Sequence, residues 1–437
     1  MKTNTKPVTV RTYEGGIGQA KSPTEELRSA VLTCLLWENT FYESGGAIAK
    51  RLQELVPKVP AKVVADLAIE ARTKHGLRHV SLFLARELAK HPQRQNIRVS
   101  GVIEQVICRA DELAEFLSLY WKEGRTPLAG QVKKGLAKAF KKFSAYNLAK
   151  YNNGDKIKLR DVLFMSHAKP KDEAQAAVWK QLVDGTLPAP DTWEVALSAG
   201  EDKKTTWERL IEEKKLGGLA TLRNLRNMTT VGLGPQVMEK AVAQANYNGV
   251  LPFQFFAAAK HAPRMEQALE PAMLKAIEEL PMLRGTTAFL IDVSGSMDTI
   301  LSNKGTLNRL DAACALAVLL REKCERVQMY TFSSGLVEVP PRRGFALRDA
   351  IMNSQPHGST YLAAALTKVK SLGTYDRLMV MTDEQSHDGS ISAFAPAAYS
   401  INVAPYQPGL NYGGGWTKIN GWSERVVDYI HAVENQG

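Results

Sequence analysis

The stretch Ala288-Phe289-Leu290-Ile291-Asp292-Val293-Ser294-Gly295-Ser296-Met297 decides how this chain of 437 residues is read. A short apolar run ends in an acid and two hydroxyls at alternate positions, which is the pattern of a buried strand delivering a metal-binding loop. Alternation places Asp292, Ser294 and Ser296 on one side of the exit loop, and Gly295 lets the backbone bend so that their oxygens converge on a hard divalent cation, magnesium first. Two further oxygen ligands follow in matching contexts. Thr360, in Gly358-Ser359-Thr360, precedes the helical pattern Tyr361 to Val369, and Leu378-Met379-Val380-Met381-Thr382-Asp383 is a second buried strand ending in an acid. In an open, mostly parallel sheet the loops at the carboxyl ends of the strands meet in one crevice, so segments far apart in sequence share a site.

Working outward, the chain after Met282-Leu283-Arg284-Gly285 alternates between strand and helix. Strands are expected at Phe289 to Val293, Arg326 to Phe332, Arg377 to Thr382 and Ser400 to Ala404; helices at Leu307 to Lys323, Phe345 to Met352, Tyr361 to Val369 and Ser423 to Glu434. That alternation is a doubly wound α/β domain. Gly413-Gly414-Gly415-Trp416 reads as flexible by composition. The expected organisation is a first domain over 1–282 and a second over 283–437.

Before residue 283 the pattern is helix after helix. Residues 1–22 read as an extended arm or strand, and Ser22-Pro23-Thr24-Glu25-Glu26 opens the first helix with an N-cap serine, proline at the first helical position and acids at the positive end of the dipole. Short helices separated by breaks such as His91-Pro92 and Gly124-Arg125-Thr126-Pro127 point to a stacked helical-repeat array without a clean sequence repeat. Pro127 to Tyr151 reads as one amphipathic helix. Val132, Leu136, Ala139, Phe140 and Phe143 cover one arc; Lys133, Lys134, Lys138, Lys141 and Lys142 cover the rest, with almost no acids in the stripe to pair with them.

The charge is unevenly placed. Of 56 Lys+Arg and 45 Asp+Glu, the residues from Leu283 onward hold 14 of each, so the whole net charge of +11 lies before it. A basic domain joined to a neutral one points to a polyanionic partner, with nucleic acid the leading candidate and a solvated lysine-rich surface the alternative. With 44% hydrophobic and 23% charged residues, disorder is not expected. The longest uncharged apolar run, Ala312 to Leu320, is too short to span a bilayer, and no signal-peptide core follows the start of the chain. Cys34, Cys108, Cys314 and Cys324 stand singly in helix-like patterns, as small buried side chains in a reducing compartment would. The expected location is cytoplasmic, away from membranes.

Asp292-x-Ser294-x-Ser296, then Thr360, then Asp383 resembles the metal-ion-dependent adhesion site of von Willebrand factor A domains. The segments Arg109-Ala110-Asp111-Glu112-Leu113 to Tyr120-Trp121-Lys122, Gln131 to Leu136, Leu148-Ala149-Lys150-Tyr151, Leu159-Arg160-Asp161-Val162-Leu163 to Ser166-His167-Ala168-Lys169-Pro170 and Leu222 to Met228 look like the TROVE module. A TROVE module followed by a von Willebrand factor A domain resembles the Ro ribonucleoprotein family, of bacterial or phage type, across nearly the whole chain. The resemblance implies a HEAT-like helical-repeat ring closed by the metal-site domain. It also implies a monomeric, non-enzymatic scaffold that binds small structured Y RNAs on a basic outer surface. Single-stranded 3′ ends of misfolded RNAs enter a central hole, for quality control or presentation to an exoribonuclease. Carried over by position, Lys150 and His167 match family residues that support RNA binding. Lys133, Lys134 and Lys138 lie on a helix that is basic in the family, with Lys141 in the same stripe and Arg160 nearby. Lysines supply salt-sensitive phosphate contacts, and a histidine contacts phosphate or stacks on a base. His167 could equally cap its helix, and Arg160 could be ion-paired or core-facing. The loops after Trp193 to Trp207 are short, which leaves open whether the structured partner is a Y RNA.

A second reading of the same residues is a protein-interaction adaptor that grips an acidic residue of a partner through the Asp292 site. A metal-dependent hydrolase is the weakest reading, because no His/Asp general-base constellation flanks the ligands; His357 and His387, near the loops, read as surface residues.

Overall fold

A computed structural model describes residues 10–33, 43–152, 156–189, 192–198, 202–301, 305–406, 408–421 and 426–434. Cys34 and the start of the expected closing helix, residues 423–425, lie outside them. The chain forms two compact units: Pro23–Trp37 with Gly46–Ala196, and Met1–Ser22, Glu38–Gly45 and Leu197–Gly437. Compactness therefore divides the chain within its helical part rather than at the change from helices to alternating strands.

The first of these units is all helix among its described residues. The helix Pro23–Thr33 starts on its proline, as the opening signal predicts. Ala61–Thr73, His79–Lys90, Val99–Val106, Asp111–Tyr120, Gly130–Phe140, Leu159–Ser166 and Glu173–Asp184 pack their apolar faces into one core that runs from Leu27 to Leu182. Glu112 is buried and joins three of these helices. Its carboxylate takes the Arg72 guanidinium at 2.7 Å and the backbone N–H groups of Cys108 and Arg109 at 2.7 and 3.0 Å, while Arg72 Nε donates to the Val106 carbonyl. A buried charge with every oxygen partnered is the condition under which such a pair is tolerated.

The expected single helix from Pro127 to Tyr151 is two helices. Gly130–Phe140 ends at Lys141, and Ala145–Lys150 begins behind Ser144, whose hydroxyl accepts the Asn147 N–H while Asn147 Oδ1 accepts the Ser144 N–H. A reciprocal cap of this kind starts a new helix and outcompetes continuation of the old one. Gly135 sets how closely Gly130–Phe140 approaches Val99–Val106. A Cβ there would lie 2.7 Å from Ile103 Cβ and 3.1 Å from the Ser100 carbonyl oxygen. Ala would gain about 1 kcal/mol of helix propensity, but overpacking costs about 1–3 kcal/mol, and Ile103 Cβ is fixed to its backbone. Gly135→Ala is expected to destabilise the protein by about 1 kcal/mol net, read as a lower urea midpoint; an unchanged midpoint would refute the close approach.

The second unit carries the sheets. Its strands are β1 (Val10–Arg11), β2 (Ile17–Ala20), β3 (Leu283–Asp292), β4 (Cys324–Phe332), β5 (Leu336–Glu338), β6 (Arg377–Thr382), β7 (Ala397–Asn402), β8 (Pro408–Leu410) and β9 (Trp416–Asn420). The larger sheet has the order β5-β4-β3-β6-β7-β9, parallel throughout except for the β4/β5 pair. Both β6 and the second half of β3 are buried at every residue, the signature of strands covered on both faces. The helix Arg309–Lys323 is buried along nearly all its length. The α/β doubly wound fold is as expected. β9 is a correction: Trp416 opens the edge strand paired with β7, and Gly413 N–H donates to the Ile391 carbonyl at 2.8 Å, so this segment is fixed by backbone pairing.

The helices of this unit pack on the sheet domain. Lys260 pairs with Asp311 at 2.8 Å, Arg348 with Glu266 at 2.8 Å, and the Glu270 carboxylate accepts the Phe345 N–H at 2.8 Å. The small sheet β1-β2-β8 holds the N-terminal arm to the same unit as an antiparallel hairpin.

Candidate functional site

The chain passes from β3 to β4 on one side and to β6 on the other, so the strand order reverses beside β3. Ligand sites of open α/β sheets lie at such a switch point, outside the carboxyl ends of the strands. Asp292 ends β3, and Asp383 follows β6. Both are fully buried, with Ser294, Ser296 and Thr360 almost so. Asp292 Oδ1 accepts the Ser294 N–H at 2.9 Å and Oδ2 accepts the Thr382 hydroxyl at 2.7 Å; Ser294 Oγ and Ser296 Oγ are 3.3 Å apart. The Thr360 loop is tied in through Gly295 N–H to the Gly358 carbonyl at 3.4 Å and His387 N–H to the Thr360 carbonyl at 2.8 Å.

This cluster is electrostatically unbalanced. Burial, and then the Asp383 charge, push Asp292 up to about 7; burial also raises Asp383, opposed chiefly by the Arg309 guanidinium. Arg309 Nη1 lies 3.6 Å from Asp383 Oδ2 and donates to the Tyr406 hydroxyl at 3.2 Å. Asp383 Oδ2 is buried with no hydrogen-bond donor among the described residues. Two buried carboxylates, one orphaned oxygen and three hydroxyls are the donor set of a hard cation. They fit magnesium. Among the described residues there is no group of three or more His, Cys, Asp and Glu that could hold a metal; the set here is two carboxylates with three hydroxyls.

Sequence reasoning missed what covers this loop. The turn between β1 and β2 closes on residues 385–388: the Thr12 hydroxyl donates to the Ser386 carbonyl at 2.8 Å, and Tyr13 N–H donates to Gln385 Oε1 at 2.7 Å. Glu14 Oε2 is 3.0 Å from His387 Nε2, and Lys21 pairs with the buried Glu384 at 2.7 Å. A Cβ at Gly16 would fall 2.2 Å from the Ser386 carbonyl oxygen, so only glycine fits there. His387 and His357 are partly buried and paired with acids, His357 with Asp298 at 3.4 Å. The glycines Gly15, Gly16 and Gly18 were the available signal.

The basic candidates sort by their partners. Lys134, Lys141 and Arg160 are exposed. Lys138 pairs with Glu104 at 3.0 Å, and the Lys142 ammonium donates to the carbonyls of Glu104 and Ile107, where it caps the helix Val99–Val106. The stripe thus does have compensating groups, supplied by a neighbouring helix. Lys150 is 3.3 Å from Glu194 and 5.7 Å from the centre of the Tyr151 ring, over which Arg109 also lies at 4.7 Å. Of the cysteines, Cys314 and Cys324 are buried and Cys108 is exposed.

Lys133 and His167 meet in one groove of about 560 Å³ with Trp121, Arg125, Thr126, Pro127, Leu128, Phe164 and Met165. His167 does both things open to it: in the left-handed conformation at φ 52° its backbone caps Leu159–Ser166, and its side chain lines the groove. Trp121, Arg125 and Phe164 were missed; their signal was an exposed aromatic three residues before His167 and a tryptophan four before an arginine.

A helical-repeat protein that carries a von Willebrand factor A-like domain is the class that this fold and switch-point site define. The TROVE domain model matches residues 184–318 and the Ro60 vWA domain model residues 287–398. Both matches are to domains of Ro-type proteins, and together they run over residues 184–398. The TROVE match takes in Leu222–Met228 and begins after the segments at 109–170 that carried the resemblance. In fold, the chain is similar to the crystal structure of the Deinococcus radiodurans RO (RSR) protein. The TM-score is 0.60 at 19% identity, over 94% of this chain and 100% of that one. No described helix is long and apolar enough to cross a membrane.

Proposed function

We propose that the protein is a cytoplasmic, non-enzymatic RNA scaffold that holds a small structured RNA on its lysine face and takes single-stranded 3′ ends of misfolded RNA. The ring implied by the family resemblance would receive those ends, for quality control or delivery to an exoribonuclease. The observation that carries this reading is the helix Gly130–Phe140, which buries Val132, Leu136, Ala139 and Phe140 and leaves Lys134, with Lys141 just beyond its end, facing water. Exposed lysines on a fixed helix place positive charge where phosphates can reach it, without base readout. In this reading Asp292, Ser294, Ser296, Thr360 and Asp383 hold magnesium, which neutralises the buried carboxylates and fixes the loops.

The test is binding of a hairpin RNA with a single-stranded 3′ tail, against the same hairpin without it, at two salt concentrations. Tail-dependent, salt-sensitive binding that is lost in the Lys150→Ala/His167→Ala double variant supports the scaffold. Equal, weak binding of both RNAs with no effect of the variant refutes it. The orphaned Asp383 Oδ2 favours one other reading, in which a bound cation grips a carboxylate of a partner protein. Capture of a protein partner in magnesium but not in chelator, without RNA, would put that adaptor first.

A further inference from the structure

The turn between β1 and β2 does more than cover the loop behind Asp383. Gly15 N–H donates to the Thr12 carbonyl at 3.0 Å and Thr12 N–H to the Gly16 carbonyl at 3.1 Å, which closes a tight turn with Glu14 at its tip. Gly15, at φ 88°, makes that turn possible. The tip is seated by shape, because a Cβ at Gly16 would also lie 2.8 Å from the Asp388 carbonyl oxygen. Two routes of contact lead from it to the candidate metal ligands. In the first, His387 Nε2 is 3.0 Å from Glu14 Oε2 and Nδ1 is 3.2 Å from the Thr360 nitrogen, so one ring bridges the turn and a ligand loop. In the second, Tyr13 meets the Tyr406 ring edge to face at 5.4 Å, Arg309 lies over the same ring at 5.4 Å, and Arg309 pairs with Asp383. The hairpin is thus tied to both ligand-bearing loops.

By charge alone that placement is unfavourable. Burial raises Asp383, Arg309 opposes the rise, and the charge of Glu14 adds to it, so the hairpin holds another carboxylate toward a pair that already repels itself. A cation among them removes the conflict. Magnesium demands an octahedral set of oxygens, and Asp292, Ser294, Ser296, Thr360 and Asp383 leave at least one position to be filled. Water is the default there; this fold brings up a carboxylate. We propose that Glu14 supplies a further ligand to the switch-point cation, so that the β1/β2 hairpin closes the site with a residue of the same chain. This rests on the magnesium reading above. It also bears on the adaptor reading, because a partner's carboxylate would have to displace Glu14, and the hairpin with it, before the cation could grip it. The hairpin is then a latch on the site, set by the metal.

The experiment measures magnesium binding by calorimetry at pH 8, and amide hydrogen exchange over residues 10–20 with and without magnesium, for the wild-type chain, Glu14→Gln and Asp292→Asn. Glutamine keeps the length of Glu14 and still accepts a hydrogen bond from His387, so a contact with no metal role survives the change. Glu14 is partly exposed at the turn tip, and the substitution leaves Gly15 and Gly16 in place. Wild type is expected to bind magnesium and to exchange more slowly over the hairpin when it does. Glu14→Gln should bind about tenfold more weakly, as loss of one charged oxygen does, and its hairpin should exchange alike with and without the metal. Asp292→Asn should lose both responses. If Glu14→Gln binds magnesium as tightly as wild type, or magnesium leaves exchange of the wild-type hairpin unchanged, Glu14 is no ligand and the metal site stands without it. If wild type binds no magnesium, the metal reading falls and this inference with it.

Discussion

Magnesium should raise the melting temperature of the wild-type protein more at pH 8 than at pH 5.5, and Asp292→Asn should remove the response at both. Asp292 is pushed from 3.8 up to about 7 by burial and by Asp383, and Asp383 is raised as well. A carboxyl whose folded pKa lies above its unfolded value contributes stability that is fully present below the unfolded value and is lost as pH rises through the folded one. Without metal, therefore, Asp292 weakens the fold progressively between about pH 4 and about pH 7, as pH passes from its unfolded to its folded value, and the raised Asp383 acts in the same direction. A cation that binds the ionised pair restores this loss and competes with protons at lower pH. At a hundredfold excess over its dissociation constant it adds about 2.7 kcal/mol. Asparagine keeps the shape of Asp292 but not its charge, so the metal-free variant should be more stable than metal-free wild type at pH 8. An equal magnesium shift in variant and wild type, or a shift independent of pH, would sink the site.

How much of this was legible depended on where each partner lies in the sequence. The strands β3, β4 and β6 are central and end in runs that are buried at every residue, so those apolar runs announce them. β9 is an edge strand of half-exposed residues preceded by glycines, and its order comes from backbone pairing with β7, which composition does not carry. The five candidate ligands were readable as one set because each ends or follows a strand or opens a helix at a fixed offset. Arg309 was not, since a helix-start arginine reads as ordinary until the fold brings it beside Asp383 and Tyr406. The N-terminal hairpin was visible as an extended arm, yet its contact with residues 385–388 spans nearly the whole chain. The lysine stripe shows the same limit from the other side. Spacing within a helix predicts pairs three or four residues apart, whereas Lys138 and Lys142 found theirs on the helix Val99–Val106. Ser144 was the one local signal left unused, a cap that ends the expected long helix.

That difference in partners yields the second large effect, a division within the stripe. Lys134 and Lys141 are exposed, so Lys134→Ala with Lys141→Ala should weaken RNA binding with little change in melting temperature. Two lost phosphate contacts at about 1 kcal/mol each amount to roughly thirtyfold. The slope of log affinity against log salt should flatten by roughly 1.4–1.8, since each phosphate neutralised contributes roughly 0.7–0.9. Lys138→Ala with Lys142→Ala should do the reverse. Its first cost is structural, because Glu104 loses its ion pair and the carbonyls of Glu104 and Ile107 lose their donor. The melting temperature falls while the salt slope stays near that of wild type. A surface lysine that already holds a carboxylate gains little net charge attraction for phosphate, because RNA must first displace the acid. Filter binding across a salt series, run beside thermal melts of the two double variants, separates the cases. Equal flattening of the slope in both would mean that RNA opens the Lys138–Glu104 pair on binding and draws on the whole stripe. No flattening in either would mean that the phosphates lie elsewhere, and the lysine face of Gly130–Phe140 would be a solvated surface.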